Sequence, residues 1–173
     1  MGLSLGGMTM TLAAFHPRLR DPRVGAAVSI AGPSAMFTPS FFETADVPFL
    51  IIAGDADGIV GYDANAASLL ARAPGARLVT LRGGSHAGFA EIARYVFRWV
   101  SNPDTLACRA LVGALADAGE GEGLAVTGLG DVEDGVDQSH CDTPCQRPST
   151  ERAMRAARQQ TLTTLAAFAF FQS

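Results

Sequence analysis

The sequence predicts an α/β protein, a three-layer α/β/α arrangement around a mostly parallel sheet. Short apolar, β-branched runs alternate with stretches of helical composition across residues 1 to about 100, the pattern of parallel strands covered by crossover helices. Each run is apolar nearly throughout its middle, as a strand buried on both faces should be. With 173 residues, 48% of them hydrophobic, the chain suffices for one domain with a sizeable core and is too short for two.

The expected strands are Val24 to Ala31, Val47 to Ala53 and Ala76 to Leu81, giving a sheet of three or four parallel strands. Helix-compatible segments are Met8 to His16, Asp63 to Ala73 and Phe89 to Val100, with Pro17, Pro33, Pro48 and Pro74 at the joints. A further helix is expected over Pro103 to Ala118, with Asp104 in its first turn and Leu106, Leu111, Val112 and Leu115 along one stripe. Residues 117–147 read as a solvated acidic, Gly-rich loop, because Asp117 to Asp142 holds eight of the seventeen acids, six glycines and no Arg. Residues 148–173 read as a terminal helix opened by Pro148, Ser149 and Thr150. Glu151 stands in its first turn, and Ala153, Ala157, Leu162, Leu165 and Phe168 form its apolar side.

Composition excludes several function classes. The net charge is -4 and every basic residue is Arg, with none of the clustering that phosphate-backbone binding needs, so no nucleic-acid partner is expected. No stretch nears the roughly 18 uncharged apolar residues of a membrane span. The first fifteen residues lack a basic n-region and carry Gly2, Gly6 and Gly7, so they read as structure rather than a signal peptide. Asp131, Glu133, Asp134 and Asp137 invite a hard cation, but DVEDGVD has its Gly at the fifth position rather than the sixth of an EF-hand loop. A solvated charge run is the better reading, and no metal or cofactor is implied.

The informative feature is Gly2-Leu3-Ser4-Leu5-Gly6, which fits G-x-S-x-G; small residues on either side of the serine permit a tight strand-to-helix turn that lifts its hydroxyl clear. Asp57 lies in Gly54-Asp55-Ala56-Asp57-Gly58-Ile59-Val60, just past one expected strand, and His86 in Gly83-Gly84-Ser85-His86-Ala87-Gly88-Phe89, just past another. Carboxyl ends of parallel strands are where catalytic groups gather. Singly, each residue also fits a structural role: Ser4 as a helix N-cap, Asp55 and Asp57 as turn formers, His86 as a loop residue. The order Ser, Asp, His distinguishes the set, since it is the chain order of α/β-hydrolase triads.

Residues 2 to about 100 resemble the carboxyl-terminal half of an α/β-hydrolase, closest to the dienelactone hydrolase and esterase/lipase group. GLSLGG resembles the nucleophile elbow, GDADGIV the acid loop and GGSHAGF the histidine loop. The resemblance implies a serine esterase working through an acyl-enzyme on a small ester or lipid-like substrate. Ser4 is then the nucleophile, His86 the base and later the acid, Asp57 the residue that orients His86, and the Leu5 N–H an oxyanion donor. Asp57 is preferred to Asp55 because family acid loops commonly read G-x-x-D-x-x-V. A Ser at the elbow favours ester chemistry over the dehalogenase and epoxide-hydrolase branches. Met36, Phe37, Phe41 and Phe42 fall where the family places its lid or acyl pocket, with core packing as the alternative. The family has several strand–helix units before its elbow, whereas only Met1, Gly2 and Leu3 precede Ser4. The expectation is therefore a truncated hydrolase domain over 1–173 that lacks N-terminal strands and a second oxyanion donor, with Ser4 prone to fray. The alternative function is a non-catalytic fragment or interaction module that self-associates or requires a complementing N-terminal half.

Cys108, Cys141 and Cys145 remain. A Cys141-x-x-x-Cys145 zinc site lacks a second spaced pair. A staple from Cys108 to Cys141 or Cys145, closing the acidic loop, is the favoured reading.

Overall fold

Four parallel strands form the sheet in chain order: β1 (Gly2–Leu3), β2 (Ala27–Ile30), β3 (Phe49–Gly54) and β4 (Arg77–Leu81). The computed structural model describes residues 1–117, 128–141, 143–145 and 152–173. Gly2 stands opposite Ser29, Val28 opposite Leu50, and Ile52 opposite Val79. Helix α1 (Leu5–Phe15) links β1 to β2, and α2 (Pro39–Phe42) links β2 to β3. A π turn at Asp63–Ala67 runs into α3 (Leu69–Arg72) before β4. Then follow α4 (Ala93–Val96), α5 (Asp104–Asp117) and α6 (Ala156–Phe171).

The central strands are buried on both faces, which is why their sequences do not alternate. Phe49, Ile51 and Ala53 of β3 point into one core layer with Phe15, Met36, Phe41 and Leu69. Leu50 and Ile52 point the other way, joining Val28, Ile30, Leu81, Phe89 and Ala167. The expected three layers are present: α1, α2 and α3 contribute to the first core, and α6 to the second.

The later elements depart from expectation. The helix expected over Phe89 to Val100 shortens to α4 plus a 3-10 turn at Ala87–Phe89. Only Ala93 of α4 is buried, while Ile92, Tyr95, Val96 and Trp99 face outward. Helix α5 buries Asp104 and Cys108 on one face, one turn apart, and leaves Leu106 and Val112 of its expected stripe exposed. Pro148 to Glu151 lie outside the described residues. Just after them the Ala153 N–H donates to the Ser101 carbonyl at 2.8 Å and the Met154 N–H to the Gly83 carbonyl at 2.6 Å. Those bonds commit 153–154 to packing against earlier loops, so the helix begins only at Ala156. Its inward side is Gln159, Leu162, Ala166, Ala167 and Phe170, not Leu165 and Phe168, which are exposed.

The acidic segment also differs where it is described. Leu129 and Val136 are buried, and Val136 forms an antiparallel bridge with Phe37. Asp131 caps a 3-10 turn at Val132–Asp134, and Asp134 pairs with Arg18. His16, fully buried, accepts the Arg18 and Leu19 N–H groups at Nδ1, both at 3.1 Å. Its Nε2–H therefore donates to the Leu129 carbonyl at 3.1 Å. Two apolar anchors and paired charges turn this part of the expected solvated loop into packed structure. The disulfide joins Cys108 to Cys145, with Cα atoms 5.6 Å apart, and Cys141 is exposed outside it.

Candidate active site

Ser4 occupies the single residue between β1 and α1, at φ 55° and ψ −122°. A non-glycine residue there costs on the order of 1–3 kcal/mol and must be held by its surroundings. The Ser4 N–H extends the sheet ladder by donating to the Ile30 carbonyl at 2.8 Å, and its own carbonyl accepts from the Gly7 and Met8 N–H groups. A Cβ on Gly2 would collide with the Gly6 carbonyl, and one on Gly7 would sit 2.7 Å from Ser29 Oγ. Gly6, by contrast, faces open space. The glycines that the turn requires are thus Gly2 and Gly7. On its upstream side Ser4 is joined to the sheet through the two residues of β1, which pair with Ser29 and Ile30 of β2. Ser4 also makes no side-chain cap bond, so the N-cap reading does not hold.

Its hydroxyl instead lies 2.9 Å from His86 Nε2, while His86 Nδ1 lies 2.8 Å from Asp57 Oδ2. A carboxylate only accepts, so the proton belongs on Nδ1; Nε2 is then left to accept the Ser4 hydroxyl proton. Asp57 is locked in turn, since its Oδ1 accepts the Ile59 and Val60 N–H groups at 2.9 and 2.7 Å. The Asp57 side chain is 2% exposed and that of His86 11%. Burial opposes protonation of His86, but its bond to Asp57 and the charges of Asp57 and Asp104 outweigh burial and raise its pKa. Asp55 serves another purpose: it accepts the Gly83 N–H at 2.6 Å and ties the acid loop to the turn after β4.

Two further groups hold the histidine loop, and sequence reasoning missed both. The Asp104 carboxylate accepts N–H groups from Gly58, His86 and Ala87 at 2.9, 2.8 and 2.7 Å. The buried Gln159 amide pairs with Ser85, accepting its N–H at 3.1 Å and donating to its carbonyl at 2.7 Å. An acid in a helix's first turn and a Gln in an Ala-rich helix ordinarily face solvent, so neither advertises itself.

The Leu5 N–H is the first of α1, a position that precedes any intrahelical acceptor. The pocket expectation is corrected. Met36, Phe37, Phe41 and Phe42 are at most 6% exposed and pack together with Phe15 and Phe49 as core. Phe42 does border a cavity of about 450 Å³, but Phe49 and Arg77, the first residues of β3 and β4, line it too. That is the sheet edge opposite Ser4.

No family model and no curated protein matches the chain. Solved structures do. One is described as a predicted CIB-like hydrolase from Thermoplasma acidophilum, with 17% identity, a TM-score of 0.40, and coverage of 68% of this chain and 49% of the other. Another is the esterase domain of a Rhodothermus marinus protein, with 22% identity, a TM-score of 0.41, and coverage of 68% and 58%. The chain spans about half the length of these structures.

Proposed function

We propose that the chain carries the catalytic triad of a serine hydrolase acting on carboxylic esters. The observation that supports this reading is the unbroken relay from Ser4 through His86 to Asp57, at 2.9 and 2.8 Å, with the serine on a strained turn. In the reaction, Ser4 Oγ attacks the ester carbonyl carbon as His86 Nε2 takes its proton. The carbonyl oxygen becomes an oxyanion facing the Leu5 N–H, and Asp57 stabilises the imidazolium. Collapse of the tetrahedral intermediate breaks the bond to the leaving alkoxide, which takes the proton from Nε2. Water, deprotonated by the same nitrogen, then releases the acid and restores Ser4.

The test is hydrolysis of a short-chain nitrophenyl ester with labelling by a fluorophosphonate. Expected is a covalent adduct on Ser4 and loss of both signals in Ser4→Ala and His86→Ala. Activity that survives Ser4→Ala refutes the mechanism. If the wild-type chain neither hydrolyses nor labels, the non-catalytic reading takes its place, and a complementing chain is then the partner to seek.

A further inference from the structure

Asp104 carries no part of the relay, yet it is fully buried and its carboxylate spans the two loops that do. Oδ2 accepts N–H groups from Gly58 and His86, and Oδ1 accepts from Ala87. Gly58 adjoins Asp57 in the acid loop, so one side chain fixes the backbone beside both Asp57 and His86. The strand ladder does not reach these residues, since β3 and β4 have ended at Gly54 and Leu81. Asp104 is itself anchored. Its N–H donates to Asn102 Oδ1 at 3.0 Å, and one turn later the Cys108 sulfur lies 3.5 Å from the Gly58 carbonyl.

We propose that Asp104 is a positioning residue that sets the register between Asp57 and His86 by clamping both loops through one carboxylate. The inference rests on the hydrolase reading for its kinetic consequence. A simpler use for a first-turn acid, neutralising the helix N-terminus, would leave the carboxylate near solvent and its oxygens on the amides of α5. Here all three donors belong to other segments. Three N–H bonds favour the anion even though burial raises the pKa of Asp104. Its charge therefore reaches His86 together with that of Asp57. The other side chains that hydrogen-bond to the histidine loop among the described residues are Asp55 of the acid loop, whose carboxylate accepts the Gly83 N–H three residues before His86, and the uncharged Ser4 from the β1–α1 turn and Gln159 and Gln160 from α6.

The experiment compares Asp104→Asn and Asp104→Ala in the full chain. His86 is followed by imidazole NMR titration, its signal assigned with His86→Gln, and nitrophenyl-ester kinetics are measured alongside. In Asp104→Asn the amide oxygen can keep the Gly58 and His86 bonds while the NH₂ faces the Ala87 N–H, so the charge and one of the three bonds are lost and the two that span the loops are kept. His86 should then titrate at lower pH than in the wild type, and kcat should fall with KM unchanged. Asp104→Ala, where it folds, should lose about 100-fold in kcat, the scale of an ångström-level misplacement. An Asp104→Asn chain with the wild-type His86 titration and kcat within about threefold of wild type overturns the proposal, whatever its melting temperature. The NMR titration reads Asp104 even if the wild-type chain proves inactive, which separates failure of this inference from failure of the hydrolase reading.

Discussion

Replacing Asp57 by Asn separates orientation of His86 from mere contact with it, and the structure predicts how. Asp57 Oδ1 accepts two backbone N–H groups, from Ile59 and Val60. In Asp57→Asn the new side chain must put its carbonyl oxygen there, because an NH₂ group facing two donors would leave both unpaired at about 1–3 kcal/mol each. The amide NH₂ then occupies the Oδ2 position, 2.8 Å from His86 Nδ1, and donates where a carboxylate had accepted. His86 answers by moving its proton to Nε2, the nitrogen 2.9 Å from Ser4 Oγ. A protonated Nε2 cannot take the serine proton. Under the proposed mechanism the expected loss in kcat is about 10⁴-fold, or about 5.5 kcal/mol in the barrier, the scale of the same exchange in serine proteases. Asp55→Asn is the control: Oδ1 of Asp55 accepts the Gly83 N–H, and an amide oxygen serves equally, so kcat should stay within about threefold. Ester kinetics of the two variants, with ¹⁵N shifts reporting the His86 tautomer, decide the matter. Equal losses at the two acids, or an unchanged tautomer in Asp57→Asn, refute the reasoning.

The acidic limb of kcat/KM should lie above 6.5, the ordinary imidazole value, because the His86 pKa is raised and only neutral His86 is a base. Stability runs oppositely: the His86 contribution is fully present below about 6.5 and is lost as pH rises through the raised folded value, which thermal melts across that range will report. Cys108→Ser opens a loop of sequence separation 37 and should cost about 4 kcal/mol in the chain-entropy account, read from urea midpoints. Gly2→Ala forces a methyl against the Gly6 carbonyl, so fluorophosphonate labelling of Ser4 should slow more than Gly6→Ala slows it, Gly6 having open space. Gln159→Met keeps the volume but strands the Ser85 N–H and carbonyl; a loss of about 2–5 kcal/mol is expected, and an unchanged melting temperature contradicts a structural role for the Gln159–Ser85 pair.

The legible part of this chain is the part in which neighbouring residues share one environment. Phe49 to Gly54 lies wholly inside, so the run VPFLIIA identifies β3 without further information. The three motif loops are legible for a related reason: Gly2, Gly54 and Gly84 stand where a Cβ would run into neighbouring backbone, so each turn keeps a glycine beside its polar residue. What escaped is what depends on partners distant in sequence. Helix α5 offers leucines that look like a core stripe, yet its first turns meet two loops rather than a hydrophobic layer, so Asp104 and Cys108 are buried instead. Phe37, Phe41 and Phe42 are equally apolar as pocket or core, and only the docking of Val136 and Leu129 nearby closes that side.

The triad residues come from loops after β1, β3 and β4, and strand spacing shows what this demands. Neighbouring strands lie about 4.8 Å apart, so β4 stands roughly 14 Å from β1, and β2 contributes no triad residue between them. Asp57 needs to reach only one strand over to meet His86, and its loop is locked by its own Oδ1 bonds. His86 must carry its imidazole back across the sheet to Ser4, farther than the sheet's hydrogen bonding can direct it. Its loop is accordingly held from beyond the sheet, by Asp104 of α5 at His86 and Ala87, by Gln159 of α6 at Ser85, and by Gln160 at Gly88 and Ala90. The two helices that supply none of Ser4, Asp57 and His86 are therefore what place His86. Motifs in the first hundred residues name Ser4, Asp57 and His86, and the remaining chain holds the loop through which they meet.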